Sequence, residues 1–260
     1  MVRYVPCYER TSRGRKQKIK FACRKMQAEP IKTKAIVVRA VPYKESDMIV
    51  TLISVDLGRL TATARGCLKP KAKLRYSAEP FNFGEYVLNG RNGKYVITEC
   101  EQIESFSAIT ADIERYYAGF AVLDSLDKLS READPQIFMH AVRTLGELAY
   151  NAQKSADRIV TEFLTGVLSI TGLDLDFAHC NVCKCDIEDA AYFSDKDGVV
   201  CKHCRGFENI VIENAYRAYI SGTDGDTPHT LRAQANILLA NLVYRMLGVK
   251  INTRYFTELI

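Results

Sequence analysis

The stretch Cys180-Asn181-Val182-Cys183, followed after seventeen residues by Cys201-Lys202-His203-Cys204, limits what this chain can fold into more than any other. Two C-x-x-C knuckles at that separation match the spacing of a four-thiolate metal site. Each knuckle turns tightly enough to aim two sulfurs at one ion. The residues between them can form a short hairpin that carries the second pair opposite the first. Four sulfurs complete the tetrahedron of Zn(II) and leave no position for a substrate, so one structural Zn(II) on Cys180, Cys183, Cys201 and Cys204 is the expectation. Cys185, His179 and His203 are spare donors, but none completes a second knuckle. The bland alternatives are reduced cysteines packed as small apolar side chains, or one redox-active pair. A redox pair fits the surroundings poorly, because neither knuckle opens a helix beside a βαβ unit.

A chain of 260 residues exceeds the commonest domain size and should divide into two or three compact units. No run of about eighteen apolar residues is present, so no transmembrane helix is expected. The basic stretch from Arg10 to Lys25 is not followed by the apolar core and cleavage site of a secretory leader. Nine cysteines, four of them in a metal pattern, point to reduced thiols and a cytoplasmic protein. Charge is unevenly placed. Residues 1–30 hold nine Lys/Arg against Glu9 and Glu29, residues 31–105 hold twelve against eight acids, and residues 106–260 hold fifteen against twenty-one. A polyanion should therefore dock at the front of the molecule.

Residues 1–30 lack helix or strand periodicity and read either as a flexible basic arm or as an extended gene start, with Met26 just ahead of the first strand. From Lys32 the pattern is β. Ala35-Ile36-Val37-Val38, Met48 to Ile53 and Leu60 to Ala64 are β-branched or alternating. Pro42 with Glu45-Ser46-Asp47, then Asp56-Leu57-Gly58, are the breakers between them. Gly84 to Leu88 and Lys94 to Glu101 follow, joined by the hairpin signal Asn89-Gly90-Arg91-Asn92-Gly93. Five short strands without a helix for a βαβ unit predict a small closed barrel over residues 31–105, with the OB-fold as the leading candidate and an SH3-like barrel as the alternative.

Between the third and fourth strands, Arg65 to Tyr76 carries Arg65, Lys69, Lys71, Lys73 and Arg75 with no acid among them. In an extended conformation the three alternating lysines would project to one side, a geometry suited to a phosphate backbone. Tyr43, Tyr76, Phe81 and Phe83 lie nearby and could offer stacking faces to unpaired bases, although Phe81 and Phe83 read equally as core. Past Ser107 the signal becomes helical. Ile109, Ile113, Tyr116, Phe120 and Leu123 recur at helical steps, as do Ile159, Phe163, Val167 and Ile170, with another helix from Pro135 and a long one ending near Gly248. The fold class is thus α+β: a five-stranded barrel, then a helical domain over 106–260 with a metal lobe at 178–206.

The order and spacing of several segments resemble the RecO family of bacterial recombination mediators over roughly residues 31–250. They are Lys34-Ala35-Ile36-Val37-Val38-Arg39, Tyr43-Lys44-Glu45-Ser46-Asp47, Leu57-Gly58-Arg59-Leu60, Arg65-Gly66 with its basic continuation, Leu173 through both knuckles, and Ala191-Tyr192-Phe193-Ser194. The resemblance implies an OB-fold, a zinc-bearing helical domain, and binding of single- and double-stranded DNA in DNA repair. It further implies annealing of complementary strands, help in loading recombinase onto DNA coated by single-strand-binding protein, and a nucleoid-associated location. RecR and the acidic C-terminal tail of single-strand-binding protein would be the partners. The candidate DNA-binding set is then Lys34, Arg39, Lys44, Arg59, Arg65, Lys69, Lys71, Lys73, Arg75 and Tyr76. The basic extension departs from the family pattern.

No catalytic constellation competes with this reading. A Walker-type Gly-rich loop, and hence a nucleotide cofactor, is not expected, and the H-x-E of a zinc deaminase is missing ahead of the cysteines. His140 and His229 have no sequence neighbour that suggests a triad. The expected protein is not an enzyme. The rival reading is a non-catalytic module for RNA or the ribosome, where barrels and zinc ribbons also occur.

Overall fold

The computed structural model describes residues 29–91, 94–207, 209–223 and 227–257. The basic arm expected at 1–30 lies, up to Ala28, outside the described residues. Strands β1 (Ile31–Tyr43), β2 (Asp47–Ser54), β3 (Gly58–Ala64), β4 (Phe83–Arg91) and β5 (Lys94–Glu104) close a barrel in the order β1-β2-β3-β5-β4. Closure comes from β4 returning to β1, with Ala35 opposite Gly84 and Ile36 opposite Phe83. β3 and β5 meet in parallel at Ala62 and Tyr95. This is the OB-like barrel that the strand spacing suggested.

Pro42 does not end β1, contrary to its reading as a breaker. The strand continues to Tyr43, with Pro42 opposite Met48 of β2. The pairing of β1 with β4 stops at Ile36, so past that point β1 has a ladder on one side only and a missing N–H can face outward at no cost.

Alternation along β1 sends Ala35 and Val37 into the barrel, where they join Val50, Leu52, Leu60, Ala62, Tyr86 and Leu88. Ile36 and Val38 point the other way and are buried with Ile53, Phe81 and Phe83 against the helices. A bulge between Val37 and Arg39 shifts the register with β2. The β3–β4 loop plugs one end of the barrel with Cys67, Leu74 and Ala78, and Asn82 Nδ2 donates to the hydroxyl of the buried Tyr86 at 2.7 Å.

The helical half comprises α1 (Ile113–Leu129), α2 (Pro135–Tyr150), α3 (Ala156–Ile170), α4 (Asn214–Ser221), α5 (His229–Leu247) and α6 (Arg254–Thr257). The first helical stripe had been expected to begin at Ile109. Asp112 separates it instead, because its carboxylate caps α1 by accepting from Arg115 N at 2.9 Å, and Ile109 sits in a preceding 3-10 turn. Asp134 caps α2 ahead of Pro135, and Gly248 in the left-handed region ends α5 where its sequence signal stood. α4 and α6 are too short to register as periodicity. Between α3 and α4 the chain forms a small lobe with strands β6 (Ala191–Ser194), β7 (Gly198–Val200) and β8 (Ile210–Ile212) in the order β7-β6-β8. The hairpin expected between the knuckles is β6–β7, and β8 is an addition. Among the described residues, no helix is long and apolar enough to cross a membrane.

Barrel and helices join through close backbone approaches. Phe81 packs edge-on against Phe120 with ring centroids 4.9 Å apart, and a Cβ on Gly119 of α1 would sit 2.8 Å from the Phe81 ring. Gly58, at φ +66°, lies where a Cβ would meet the carbonyl carbon of Glu132 at 2.6 Å, and the next amide, Arg59 N, donates to Ser130 O at 2.8 Å. Gly58→Ala therefore combines left-handed backbone strain with a backbone clash. It should lower unfolding free energy by at least about 1–3 kcal/mol in urea titrations. A loss below a few tenths would show that the β2–β3 turn is not tightly docked.

Candidate functional site

The four knuckle sulfurs lie within 4.8 Å of one another, and Cys183 Sγ is 3.7 Å from Cys201 Sγ. Sulfurs bound tetrahedrally at about 2.3 Å from one ion would be about 3.8 Å apart, so this donor set matches such a metal to within about 1 Å. Backbone geometry builds the set. Asn181 N donates to Val199 O at 2.9 Å, which ties the first knuckle to the hairpin that delivers the second. Lys184 adopts φ +62° and returns its amide to Cys180 O at 2.8 Å, completing the turn.

Burial pushes the Cys180 thiol up, but the amides of Cys183, Cys201 and Val182 directed at its sulfur outweigh that and hold it at about 6. Cys201 is lowered in the same way, with burial opposed by the amides of Cys204 and His203. Amides directed at these two sulfurs favour the thiolate, the form in which cysteine binds metal, while the neighbouring sulfurs push Cys204 up. Cys185 Sγ stands 3.3 Å from Cys183 Sγ, at the margin of the cluster. His179 is turned away from it, with Nδ1 2.7 Å from Asp176 and Nε2 3.3 Å from Asp186.

A second concentration of functional groups lies at one end of the barrel. The β1–β2 turn and the β3–β4 loop are fastened together by Gly66 N donating to Asp47 Oδ1 at 2.7 Å and Leu68 N donating to Ser46 O at 3.0 Å. Lys44 and Tyr43 are thereby brought beside Arg65 and Lys69. Lys44, Arg65, Lys69, Lys71, Lys73 and Arg75 are all exposed. The loop is not extended as the lysine alternation had suggested. Lys69 N to Gly66 O, Ala72 N to Lys69 O and Arg75 N to Ala72 O form successive turns, and Lys71 at φ +64° reverses the chain after Pro70. The cations still face water, because the half-buried Ala72 and Leu74 take the inward positions between them. Tyr43 is 42% exposed with Lys44 Nζ 5.2 Å from its ring centre, leaving ring surface open to a base. Tyr76 is instead a strut, half-buried with its hydroxyl donating to Cys100 O at 2.5 Å. Phe81 and Phe83 are core.

Three of the sequence-derived candidates lie elsewhere. Lys34 is on the barrel wall opposite Glu85, the carboxylate that Lys32 Nζ meets at 2.5 Å. Arg59 Nε pairs with Asp127 of α1 at 2.6 Å, and Arg39 shares a hollow of about 280 Å³ with Asp124 and Asp127. Arg59 is thus paired within its own chain, while Lys34 and Arg39 lie near carboxylates of it. Lys94, exposed at the start of β5 and next to the residue that meets β3, was outside the sequence-derived set, although the hairpin signal before it marked a tip. The remaining described cysteines are structural in setting: Cys67 is in the barrel core, its thiol pushed up by burial, and Cys100 is half-buried and raised for the same reason.

The cluster geometry predicts that Co(II) added to metal-free protein produces the intense thiolate-to-cobalt absorption of a four-sulfur site. Cys180→Ser should abolish that band, and Cys185→Ser should retain it. Loss of the band in Cys185→Ser alone would make Cys185 a ligand in place of one of the four.

Comparison with known proteins bears on both sites. Residues 26–106 match the family model described as Recombination protein O N terminal, and residues 110–217 match Recombination protein O C terminal. A DNA repair protein RecO of Clostridium novyi is 28% identical over 230 residues, covering 86% of this chain and 89% of that protein. Another from Caldicellulosiruptor bescii is 29% identical over 189 residues, covering 70% of this chain and 75% of the relative. One from Desulforamulus reducens is 27% identical, covering 70% and 72%. With both terminal models matched in order across the barrel and the helical half, the chain belongs to the RecO family and, through it, to DNA repair and recombination.

Proposed function

We propose that this protein is a non-catalytic recombination mediator that binds single- and double-stranded DNA and anneals complementary strands. The observation that carries the reading is the end of the barrel where Lys44, Arg65, Lys69, Lys71, Lys73 and Arg75 stand exposed on two loops fastened together, beside the open ring of Tyr43. Family membership supports it. Cations at this end neutralise phosphates on two strands and lower their mutual repulsion, after which base pairing supplies the free energy and no nucleotide is hydrolysed. In this reading residues 31–105 form the DNA-binding domain and residues 106–260 a helical domain with its metal lobe. The protein acts in the cytoplasm on the nucleoid, with RecR and the acidic tail of single-strand-binding protein as partners. Together they help recombinase displace single-strand-binding protein. Lys34, Arg39 and Arg59 contribute less to DNA binding than the loop does, because carboxylates of the same chain lie beside them.

The metal is Zn(II), one per chain, bound by Cys180, Cys183, Cys201 and Cys204 in a structural role. Its four-sulfur set leaves no open position. Structural zinc in small peptides is worth roughly 10–16 kcal/mol, so chelation should melt the lobe and lower the thermal midpoint. Metal analysis of purified protein should return one zinc per chain. A zinc-free protein with an unchanged melt would remove this part of the reading.

The full-length protein should anneal complementary oligonucleotides without ATP, at a rate that falls as salt rises. Duplex affinity should fall by about 0.9 log unit per log unit of salt for each phosphate engaged. Replacing Lys69, Lys71 and Lys73 together with glutamate should slow annealing and flatten that slope. Unchanged affinity and slope would show that the loop is not the DNA-binding surface, and preference for RNA in competition would favour the rival module.

A further inference from the structure

The second knuckle continues into a feature that metal binding does not need. Past Cys204 the chain runs Arg205-Gly206-Phe207, and Phe207 is fully exposed. Tyr192, Phe193, Val199 and Val200 of the same lobe are buried. A single exposed ring is ordinary by itself, and its meaning here comes from the groups around it. Beside it is a hollow of about 410 Å³ lined by Tyr192, Lys202, Arg205, Phe207, Asn209 and Val211 among others. Arg205 is held in place there. Its Nη1 donates to the Tyr192 hydroxyl at 3.0 Å, and its guanidinium lies 4.9 Å from the centre of the Tyr192 ring. Lys202 is exposed on the preceding turn. No carboxylate is among the described lining residues, and Glu208, the one acid between Phe207 and Asn209 in the sequence, lies outside them.

A flat exposed ring, a fixed guanidinium and a lysine around one hollow match the parts of an unpaired nucleotide. The base stacks on the ring and the phosphate meets the cations. A duplex keeps its base faces stacked on one another and could use only the cations. We infer that the metal lobe carries a second site for single-stranded DNA, with Phe207 as the stacking platform and Lys202 and Arg205 as phosphate contacts. The inference rests on the DNA-binding reading above and deepens it by giving a second strand its own contact while the barrel end holds the first.

The chain contains no tryptophan, so Phe207→Trp places a single emitter at the proposed platform of the full-length protein. Its emission should be quenched saturably by an oligo-dT strand, and the quenching should persist when Lys69, Lys71 and Lys73 are replaced with glutamate. Phe207→Ala combined with Lys202→Glu should weaken binding of a labelled oligo-dT by about tenfold or more, with a smaller loss of duplex binding and with metal content and circular dichroism unchanged. Emission that does not move while the labelled strand is bound would overturn the lobe site and leave the barrel reading standing. Failure of the unaltered protein to bind the labelled strand at all would overturn both. Quenching by an acidic, apolar peptide in place of oligo-dT would replace the nucleic-acid site with a peptide site.

Discussion

Four consecutive residues of β1 have no solvent face. Ala35 and Val37 fill the barrel, while Ile36 and Val38 are buried against the helices, so one strand belongs to two cores at once. Strands covered on both faces read as unbroken apolar runs, and this one is the seam on which the molecule is assembled. The other contacts along the seam follow from it. Gly58 and Gly119 are where the two halves come too close for a side chain, and Phe81 and Phe83 reach across to Phe120 and Phe138. Tight packing at such a junction fixes which parts of the barrel are covered and which remain free.

Because the helices take one side of the barrel, the cations of this region divide by position rather than by residue type. Arg59 pairs with Asp127 on α1, Arg39 lines a hollow with Asp124 and Asp127, and Lys32 meets Glu85 on the neighbouring strand. Exposed pairs of this sort contribute little to stability, about 0–1 kcal/mol, but they lower the net charge that Lys32 and Arg59 present to a polyanion. Lys44 and the cations from Arg65 to Arg75 extend from loops beyond the helices' reach. Unequal pairing turns a modest net charge into a localised field.

The metal lobe solves a different problem. Three short strands cannot sustain a core alone, and this sheet borrows from two sources. One is the helical body, into whose core Cys180, Phe193, Val200 and Cys201 are built, with Arg217 of α4 donating to the carbonyls of Asp189 and Glu188 and Arg245 of α5 paired with Asp195. The other is the sulfur cluster, at whose buried members backbone amides are directed. Fastening the hairpin at its base leaves the far side of the lobe free to display Phe207.

Much of this was legible from local signals. The two knuckles, the five strands, the glycine that stops α5, and the apolar stripes of the helices depend on near-neighbour chemistry, which sequence carries directly. Where local reading failed, a distant partner decided. Pro42 reads as a breaker, yet β1 runs through it because β4 has already parted from that edge. The alternating lysines suggest an extended loop, yet the chain turns at Lys71 to plug the barrel with Leu74 and Ala78. Ile109 sits on a helical stripe, yet Asp112 caps the helix after it. Composition located the basic segment but could not say which cations are free, since Arg59 and Lys69 look alike until Asp127, sixty-eight residues from Arg59 in the chain, is placed beside one of them. The sequence by itself determined the kinds of element, the thiol set and the sign of the charge. Tertiary structure alone decided which face each element buries and which charges remain unpaired, because burial and pairing depend on residues that only folding brings together.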